Sequence, residues 1–260
     1  MALNSWNRAL VTGASSGIGE GFARRLAEEG TDLVLVARNG EKLNALAEEL
    51  SVESEVIVAD LLDRQQLAAV EDRLRDSGRP IDLLVNNAGF GVIGDFVATD
   101  IDAGTDVVML NVVALQRLAH AAGSTMAERG RGSILNVSSV AGMAPSPGWS
   151  TYGASKAYVT SFSQGLHLEL GPLGVHVSVL CPGLTRTEFQ ERANYDTSHL
   201  SDFMWQEVGP VVEAGLKGLQ QNKPIVVPGK HNRVFSAVTS VAPSGLTRMA
   251  AKALRKREIL

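Results

Sequence analysis

The chain predicts a doubly wound α/β fold, and two features of its sequence carry that expectation. Short apolar runs rich in branched residues recur seven times, and between them lie stretches that place Ala and Leu at helical spacing among charges. Strands alternating with amphipathic helices imply right-handed βαβ crossovers, and hence a seven-stranded, mostly parallel sheet with helices on both faces. A chain of 260 residues without internal repeat, low-complexity tract or linker is expected to form one domain over residues 1–260.

The strand runs fall at residues 9–11, 33–36, 56–58, 81–85, 133–137, 175–180 and 225–227. Helical spacing marks residues 19–29, 41–50 and 64–75, and the two longest predicted helices span about 103–128 and 151–170. Pro145-Ser146-Pro147-Gly148 is loop chemistry ahead of the second long helix, and Gly171-Pro172 ends it. After the last strand comes an apolar run around Val234, Phe235 and Val238. Then Met249, Ala250, Ala253 and Leu254 lie among Arg248, Lys252, Arg255, Lys256 and Arg257. Residues 230–260 therefore read as a basic amphipathic extension that covers its own domain or a partner subunit, with contact to an anionic membrane surface the less favoured alternative.

Composition narrows the function classes. A net charge of −4, with basic clustering only at the C-terminal end, disfavours a nucleic-acid surface, which needs grouped cations. The lone Cys181 permits no internal disulfide and reads as a buried structural thiol, so a reducing compartment and a cytoplasmic location are expected. Arg8 is followed at once by a strand-like run, which leaves no room for a signal peptide. The uncharged stretch 132–155 is too rich in Ser, Gly and Pro to be a membrane span. His120, His167, His176, His199 and His231 show no metal-ligand spacing, and no metal is expected.

Directly after the first strand comes Thr12-Gly13-Ala14-Ser15-Ser16-Gly17-Ile18-Gly19, followed by a helical pattern. Glycines at a strand-to-helix turn let the backbone approach a pyrophosphate, which then meets the free N–H groups and positive end of the helix. The spacing G-x-x-x-G-x-G differs from the general dinucleotide fingerprint, and no Lys follows the last glycine as a P-loop would require. At the end of the second strand, where a carboxylate would grip the adenosine ribose, the chain reads Val36-Ala37-Arg38-Asn39. Arg38 offers a planar guanidinium suited to a ribose 2′-phosphate, and Ser15 or Ser16 can add a hydroxyl. This predicts a Rossmann-like site preferring NADP(H) over NAD(H). The alternative for Arg38 is a solvated side chain at the start of a loop, with relaxed cofactor choice.

Tyr152 and Lys156 lie four residues apart in a predicted helix, so the phenol and the ammonium share one face, a turn apart. A cation beside a phenol favours the phenolate and is expected to lower the tyrosine pKa, making Tyr152 a general acid/base.

Five elements occur in order: the glycine turn, Asn86-Asn87-Ala88-Gly89, Ser138-Ser139, the Tyr152 and Lys156 pair, and Pro182-Gly183. Together they resemble the short, single-domain branch of the short-chain dehydrogenase/reductase family, over about residues 8–229. Most follow predicted strands, which puts them at the carboxyl edge of a parallel sheet, where open α/β folds bind ligands.

The resemblance implies roles by position. Tyr152 would donate the proton in reduction and accept it in oxidation. Lys156 would lower the Tyr152 pKa and hold the nicotinamide ribose, and Ser139 would hydrogen-bond the substrate oxygen. Ser138 is the adjacent alternative, since neighbours in an extended segment face opposite ways and only one can serve. Asn111 matches a helix-kinking asparagine that holds a relay water, although by itself it reads as a polar helix residue. Asp60, beside Leu61, would meet the adenine amino group, or else cap the following helix. Asn87, Ala88 and Gly89 would pack against the adenosine ribose. Pro182, Gly183 and Thr187 would close over the nicotinamide and its phosphate. The segment 186–207, with Phe189, Tyr195, Phe203, Met204 and Trp205, lies where the family carries its substrate lid, and its composition hints at an apolar carbonyl or alcohol, with ordinary core packing as the alternative reading. A homodimer or homotetramer is implied as well.

Three function classes follow. The first is an NADP(H)-dependent oxidoreductase acting on a carbonyl or secondary alcohol, without metal. The second is a non-catalytic NADP-binding sensor or scaffold. The third is an epimerase or dehydratase of nucleotide sugars, which usually needs a larger C-terminal region than this chain supplies.

Overall fold

A computed structural model describes residues 6–193, 195–198 and 200–241. Seven strands form one sheet: β1 Arg8–Thr12, β2 Asp32–Ala37, β3 Ser54–Val58, β4 Leu83–Asn86, β5 Gly132–Val137, β6 Val175–Leu180 and β7 Ile225–Val226. Their order is β3-β2-β1-β4-β5-β6-β7, and every pairing is parallel. The chain winds one way from β1 through β3 and the other way from β4 through β7. The reversal lies between β1 and β4, the place where doubly wound sheets open a crevice at their carboxyl ends.

Helices cover both faces. On one side α1 (Gly17–Glu28), α2 (Gly40–Glu49) and α8 (Val208–Gln220) bury Phe22, Leu26, Leu43 and Val212 against Val11, Leu35 and Leu135. On the other, α3 (Arg64–Arg75) and α5 (Leu115–Arg129) bury Val70, Leu74, Leu118 and Met126 against Leu10, Val34 and Leu84. The long α6 (Ser150–Leu170) packs along β6. Such double cover explains why the strand runs are apolar throughout rather than alternating.

The predicted helix 103–128 is three pieces in one continuous run: α4 (Ile101–Val108), a π-helical turn (Met109–Ala114) and α5. Periodicity also passed over α8, whose sequence VGPVVEAGLKGLQ carries three glycines. Two of them are packing positions. A side chain at Gly215 would press on Leu180 and Phe22, and one at Gly218 would collide with Val226. Tertiary contact overrides poor helix propensity here. The short α7 (Phe189–Arg192) and the final α9 (Lys230–Val241) complete the described elements. The first twelve residues of the expected 230–260 extension are α9, while the basic stretch 246–257 lies outside the described residues.

Candidate active site

The crevice is pinned open by a threonine. Thr12, at the end of β1, is fully buried, and its Oγ1 accepts hydrogen bonds from the backbone N–H groups of Asn87 and Ala88, each at 3.0 Å. Asn87 Nδ2 returns a bond to the Thr12 carbonyl at 2.9 Å. Asn86 Nδ2 donates to the Leu115 carbonyl at 2.8 Å and so fastens the end of β4 to α5. The Thr12 role leaves no mark in the sequence, because a threonine after an apolar run looks like an ordinary strand residue.

A cleft of about 1400 Å³ runs from this reversal point along the carboxyl edge of the sheet. Its wall includes Gly13, Ser15, Ser16, Gly17, Ile18, Arg38, Asp60, Leu61, Asn87, Ala88 and Gly89 at one end. Ser139, Tyr152, Lys156, Pro182, Gly183 and Thr187 complete it at the other. The glycine turn takes left-handed backbone at Gly13 (φ +67°) and Gly17 (φ +58°), conformations open to glycine at little strain. Ser16 is the N-cap of α1 but makes no side-chain cap bond. A turn that keeps its hydroxyls and helix N–H groups for the cleft fits the pyrophosphate of a dinucleotide. Gly19 is not in the wall. It sits behind it, where a Cβ would collide with the Gly13 carbonyl, so it serves the packing of α1 under the turn.

Arg38 stands at the rim with 74% of its side chain exposed, its Nη1 3.9 Å from Asp60 Oδ2. Such an exposed, loose pair contributes little, and the guanidinium can turn to another anion. The N-cap alternative for Asp60 is corrected: α3 is capped by Asp63, which accepts from Gln65 N and Gln66 N. Asp60 instead closes a local turn by accepting from Leu62 N at 3.0 Å. It lies too early in the chain to reach the free N–H groups of the first turn of α3.

At the other end α6 presents Tyr152 and Lys156 one turn apart, both nearly fully buried. Lys156 Nζ donates to the Val137 carbonyl at 3.0 Å and lies 5.7 Å from the Tyr152 ring centroid. Ser139 Oγ accepts from Ala141 N at 3.1 Å and lines the cleft with the Tyr152 phenol. Ser138 faces the opposite way, donating to the Lys156 carbonyl at 2.7 Å and lying 2.8 Å from Thr160 Oγ1, so it anchors β5 to α6. The Pro182 carbonyl accepts from Val140 N at 2.9 Å and fixes the turn that carries Ser139.

Asn111 lies in the π-helical turn, fully buried and behind the cleft wall. It accepts from Phe90 N at 3.1 Å and donates to the Phe90 carbonyl at 2.9 Å and to Ser155 Oγ at 3.1 Å. Ser155 in turn donates to the Tyr152 carbonyl at 2.7 Å. A chain of bonds therefore leads from the π turn to the backbone of Tyr152. Ser155 was not singled out in the sequence, where it reads as a small helix residue.

The expected lowering of the Tyr152 pKa is not what the protein alone displays. Burial pushes the phenol up to about 12, and only the Ser139 side chain opposes it. Lys156 is pushed down to about 8 by its own burial. Desolvation disfavours both charged forms, and it outweighs the attraction between ammonium and phenolate that the helical spacing suggested. Cys181, buried behind the pair, is likewise pushed up to about 11.

The predicted lid, 186–207, rises from two stems that are stitched together. Thr185 and Gln206 form a parallel bridge, Arg186 N donates to the Gln206 carbonyl at 3.0 Å, and Gln206 N donates to the Leu184 carbonyl at 2.9 Å. Arg186 pairs with Asp202 at 2.9 Å and Glu207 at 3.1 Å and lies over Trp205. Asn232 of α9 donates to Gln206 Oε1 and to the Pro228 carbonyl, each at 2.9 Å, and packs where any side chain on Gly183 would collide. Phe189 and Tyr195 reach the cleft, where rings follow one another from Tyr195 to Trp149 (4.9 Å), Trp149 to Tyr152 (5.7 Å) and Tyr152 to Phe189 (5.3 Å). Met204 also lines the cleft, whereas Phe203 is 72% exposed and Trp205 turns to Arg186. Glu188 crosses the groove to Lys42 of α2 at 3.1 Å and pairs with Arg192.

Among the described residues no cluster of His, Cys, Asp and Glu could hold a metal ion, and no helix is long and apolar enough to cross a membrane. His199 lies outside the described residues. His167 Nδ1 is 2.8 Å from the Val177 carbonyl, tying α6 to β6.

Comparison with known proteins agrees with this geometry. The short chain dehydrogenase family model matches residues 7–198. The chain is similar to a short-chain dehydrogenase from Sphingobium yanoikuyae solved in complex with NADPH, with 40% identity, a TM-score of 0.81, and coverage of 91% of this chain and 96% of that one. It is similar to a bulky-bulky ketone specific alcohol dehydrogenase from Comamonas testosteroni, with 38% identity, a TM-score of 0.77, and coverage of 92% and 96%. Sulfoacetaldehyde reductase 2 of Chromohalobacter salexigens is 39% identical over 207 residues, 78% of this chain and 82% of that protein. The chain belongs to the short-chain dehydrogenase/reductase family, nicotinamide-dependent oxidoreductases acting on CH–OH and C=O groups.

Proposed function

We propose that this protein reduces an apolar ketone or aldehyde with NADPH, Tyr152 being the proton donor. The observation that carries the reading is the convergence of Ser139, Tyr152 and Lys156 at the apolar end of a cleft whose other end is a glycine turn. A bound nicotinamide supplies hydride to the carbonyl carbon, or takes it back from the alcohol. Ser139 positions the substrate oxygen against the phenol. Tyr152 gives its proton to that oxygen as negative charge develops on it. Lys156, still largely protonated at neutral pH with a pKa near 8, stabilises the phenolate left behind and holds the cofactor ribose. A phenol that keeps its proton to about 12 is in the donor form at neutral pH, the form that reduction requires. Asn111 acts as a positioning residue through Ser155 and the Tyr152 carbonyl.

Arg38 supports NADP(H) over NAD(H), because an exposed guanidinium replaces the ribose-binding carboxylate at the end of β2. Asp60 with Leu61 borders the adenine, and Asn87 to Gly89 the adenosine ribose. Exposed Ile101, Met109, Tyr158 and Leu168 on the long helices support a homo-oligomer.

A panel of ketones and aldehydes with NADPH and NADH, run on wild type and Tyr152→Phe, tests the reading. Turnover should require NADPH and fall by about 10²–10⁴ in the variant. Equal rates with NADH would remove the Arg38 argument, and NADPH binding without any turnover would favour a sensor.

A further inference from the structure

The cleft that holds Tyr152 and Trp149 also takes Met204 of the lid and Phe235, Val238 and Thr239 of α9 into its wall. The charged side chains on that wall are few. Arg38, Glu41 and Asp60 belong to the adenosine end, Lys156 donates to the Val137 carbonyl, and Glu188 pairs with Arg192. Among the described residues, the reaction end thus offers an anionic substrate no buried cation except Lys156. That differs from what a sulfonate-bearing aldehyde, the substrate named for the Chromohalobacter relative, would require of a site.

The second observation is on α9 itself. Val234, Phe235 and Val238 share a face by their spacing of three and four residues, and they are 64%, 45% and 56% exposed. Phe235 and Val238 are both wall residues and surface residues. One apolar stripe therefore starts inside the cleft and continues onto the outside of the protein, where a soluble domain usually turns such a stripe inward.

We propose that the substrate is a neutral carbonyl compound with an extended apolar chain or body, which leaves the chamber and lies along this face of α9. Phe235 and Val238 are the specificity-determining contacts, and Val234 is the outer end of the track. The proposal rests on the oxidoreductase reading above and adds the size and polarity of the substrate. Its warrant is continuity: the uncovered stripe on α9 and the reaction chamber are one surface.

Straight-chain methyl ketones from 2-pentanone to 2-undecanone, with saturating NADPH, test it. In wild type kcat/KM should rise by about three- to fourfold for each added methylene that reaches the track. In the double variant Phe235→Ser, Val238→Ser the ratio of kcat/KM for 2-undecanone to that for 2-pentanone should fall at least tenfold. Leu173→Ser, at a comparably exposed apolar residue (49%) in the turn before β6, should keep the wild-type ratio, and the thermal transition of each variant checks that it folds. Turnover that is flat with chain length, or an equal loss for every ketone in the double variant, overturns the proposal while leaving the reductase reading intact. If no ketone is reduced at all, the reading fails and takes the proposal with it. Preferential reduction of sulfonate- or carboxylate-bearing aldehydes would also overturn it.

Discussion

The two ends of the cleft are built by different means. At the cofactor end the constraints are backbone ones: Thr12 holds two N–H groups of the neighbouring turn, Gly19 lies against the Gly13 carbonyl, and Gly13 and Gly17 adopt left-handed conformations. At the substrate end the constraints run through side chains far apart in sequence, such as Asn232 with Gln206 and Lys42 with Glu188, and several of these are exposed. A backbone-built site admits few residue types and little adjustment. A site built by side chains at a surface can change its specificity without disturbing the fold.

The largest expected effect lies at the seam between the two ends. Lys156 has its pKa lowered from 10.5 to about 8 by burial, so the folded state resists its charge. Below pH 8 that penalty is fully present, and it disappears as pH rises toward 10.5, because there the unfolded chain binds the proton and the folded one does not. Wild type should therefore gain stability over pH 8 to 10.5, relative to Lys156→Met, by something on the order of 3 kcal/mol. Tyr152, raised to about 12, has the opposite sign and lowers stability between pH 10 and 12. Urea unfolding of both proteins at stepped pH reads the difference, and parallel curves would show that Lys156 is not desolvated.

Gly19→Ala tests the rigidity of the cofactor end. The added methyl meets a backbone carbonyl that cannot rotate away, so a destabilisation of at least about 1–3 kcal/mol is expected, with NADPH affinity reduced more than tenfold. Gly104→Ala in α4, where the methyl has nothing within 4 Å, should be neutral or stabilising by up to about 1 kcal/mol. Calorimetry and cofactor titration compare them, and similar outcomes would dissolve the contrast.

Asn232→Ala probes the other end. It removes the bond to Gln206 and the packing against Gly183, and should raise KM for ketone by about tenfold, equivalent to about 1–1.5 kcal/mol, while the thermal transition moves little. A loss of NADPH affinity as large as that of Gly19→Ala would mean that the lid stem is part of the cofactor scaffold. The smallest effect belongs to Lys42→Ala. Its pair with Glu188 is about half exposed on both sides and is worth about 1 kcal/mol or less, so KM should change no more than about fivefold and the change should vanish at high salt.

The same contrast explains what the sequence reveals. The seven strands, the glycine turn and the Tyr152–Lys156 pair were legible because each needs particular residue types at fixed short spacing. Gly19 was legible as part of the turn, although its place behind the wall was not. The direction of the Tyr152 pKa was misjudged because spacing reports the neighbouring charge and says nothing of burial. The π turn at Asn111 carries no periodic signal of its own, and α8 hides behind its glycines. Arg186, Asn232 and Gln206 find their partners across loops, where sequence distance gives no guide.

The π-helical turn at Met109–Ala114 has a consequence for how this chain tolerates change. Such a turn accommodates one residue beyond an α-helical run, and each helical residue advances the azimuth by about 100°. It works as a phase shifter: α4 can leave Ile101 facing outward while α5 keeps Leu115 and Leu118 in the core and Asn111 points at Phe90. Deleting any one of the five apolar residues of this turn would restore an unbroken α-helix with Asn111 still in the sequence. It would also rotate one half of the helix against the other, and the floor beneath Tyr152 would go out of register without the loss of any residue that does chemistry.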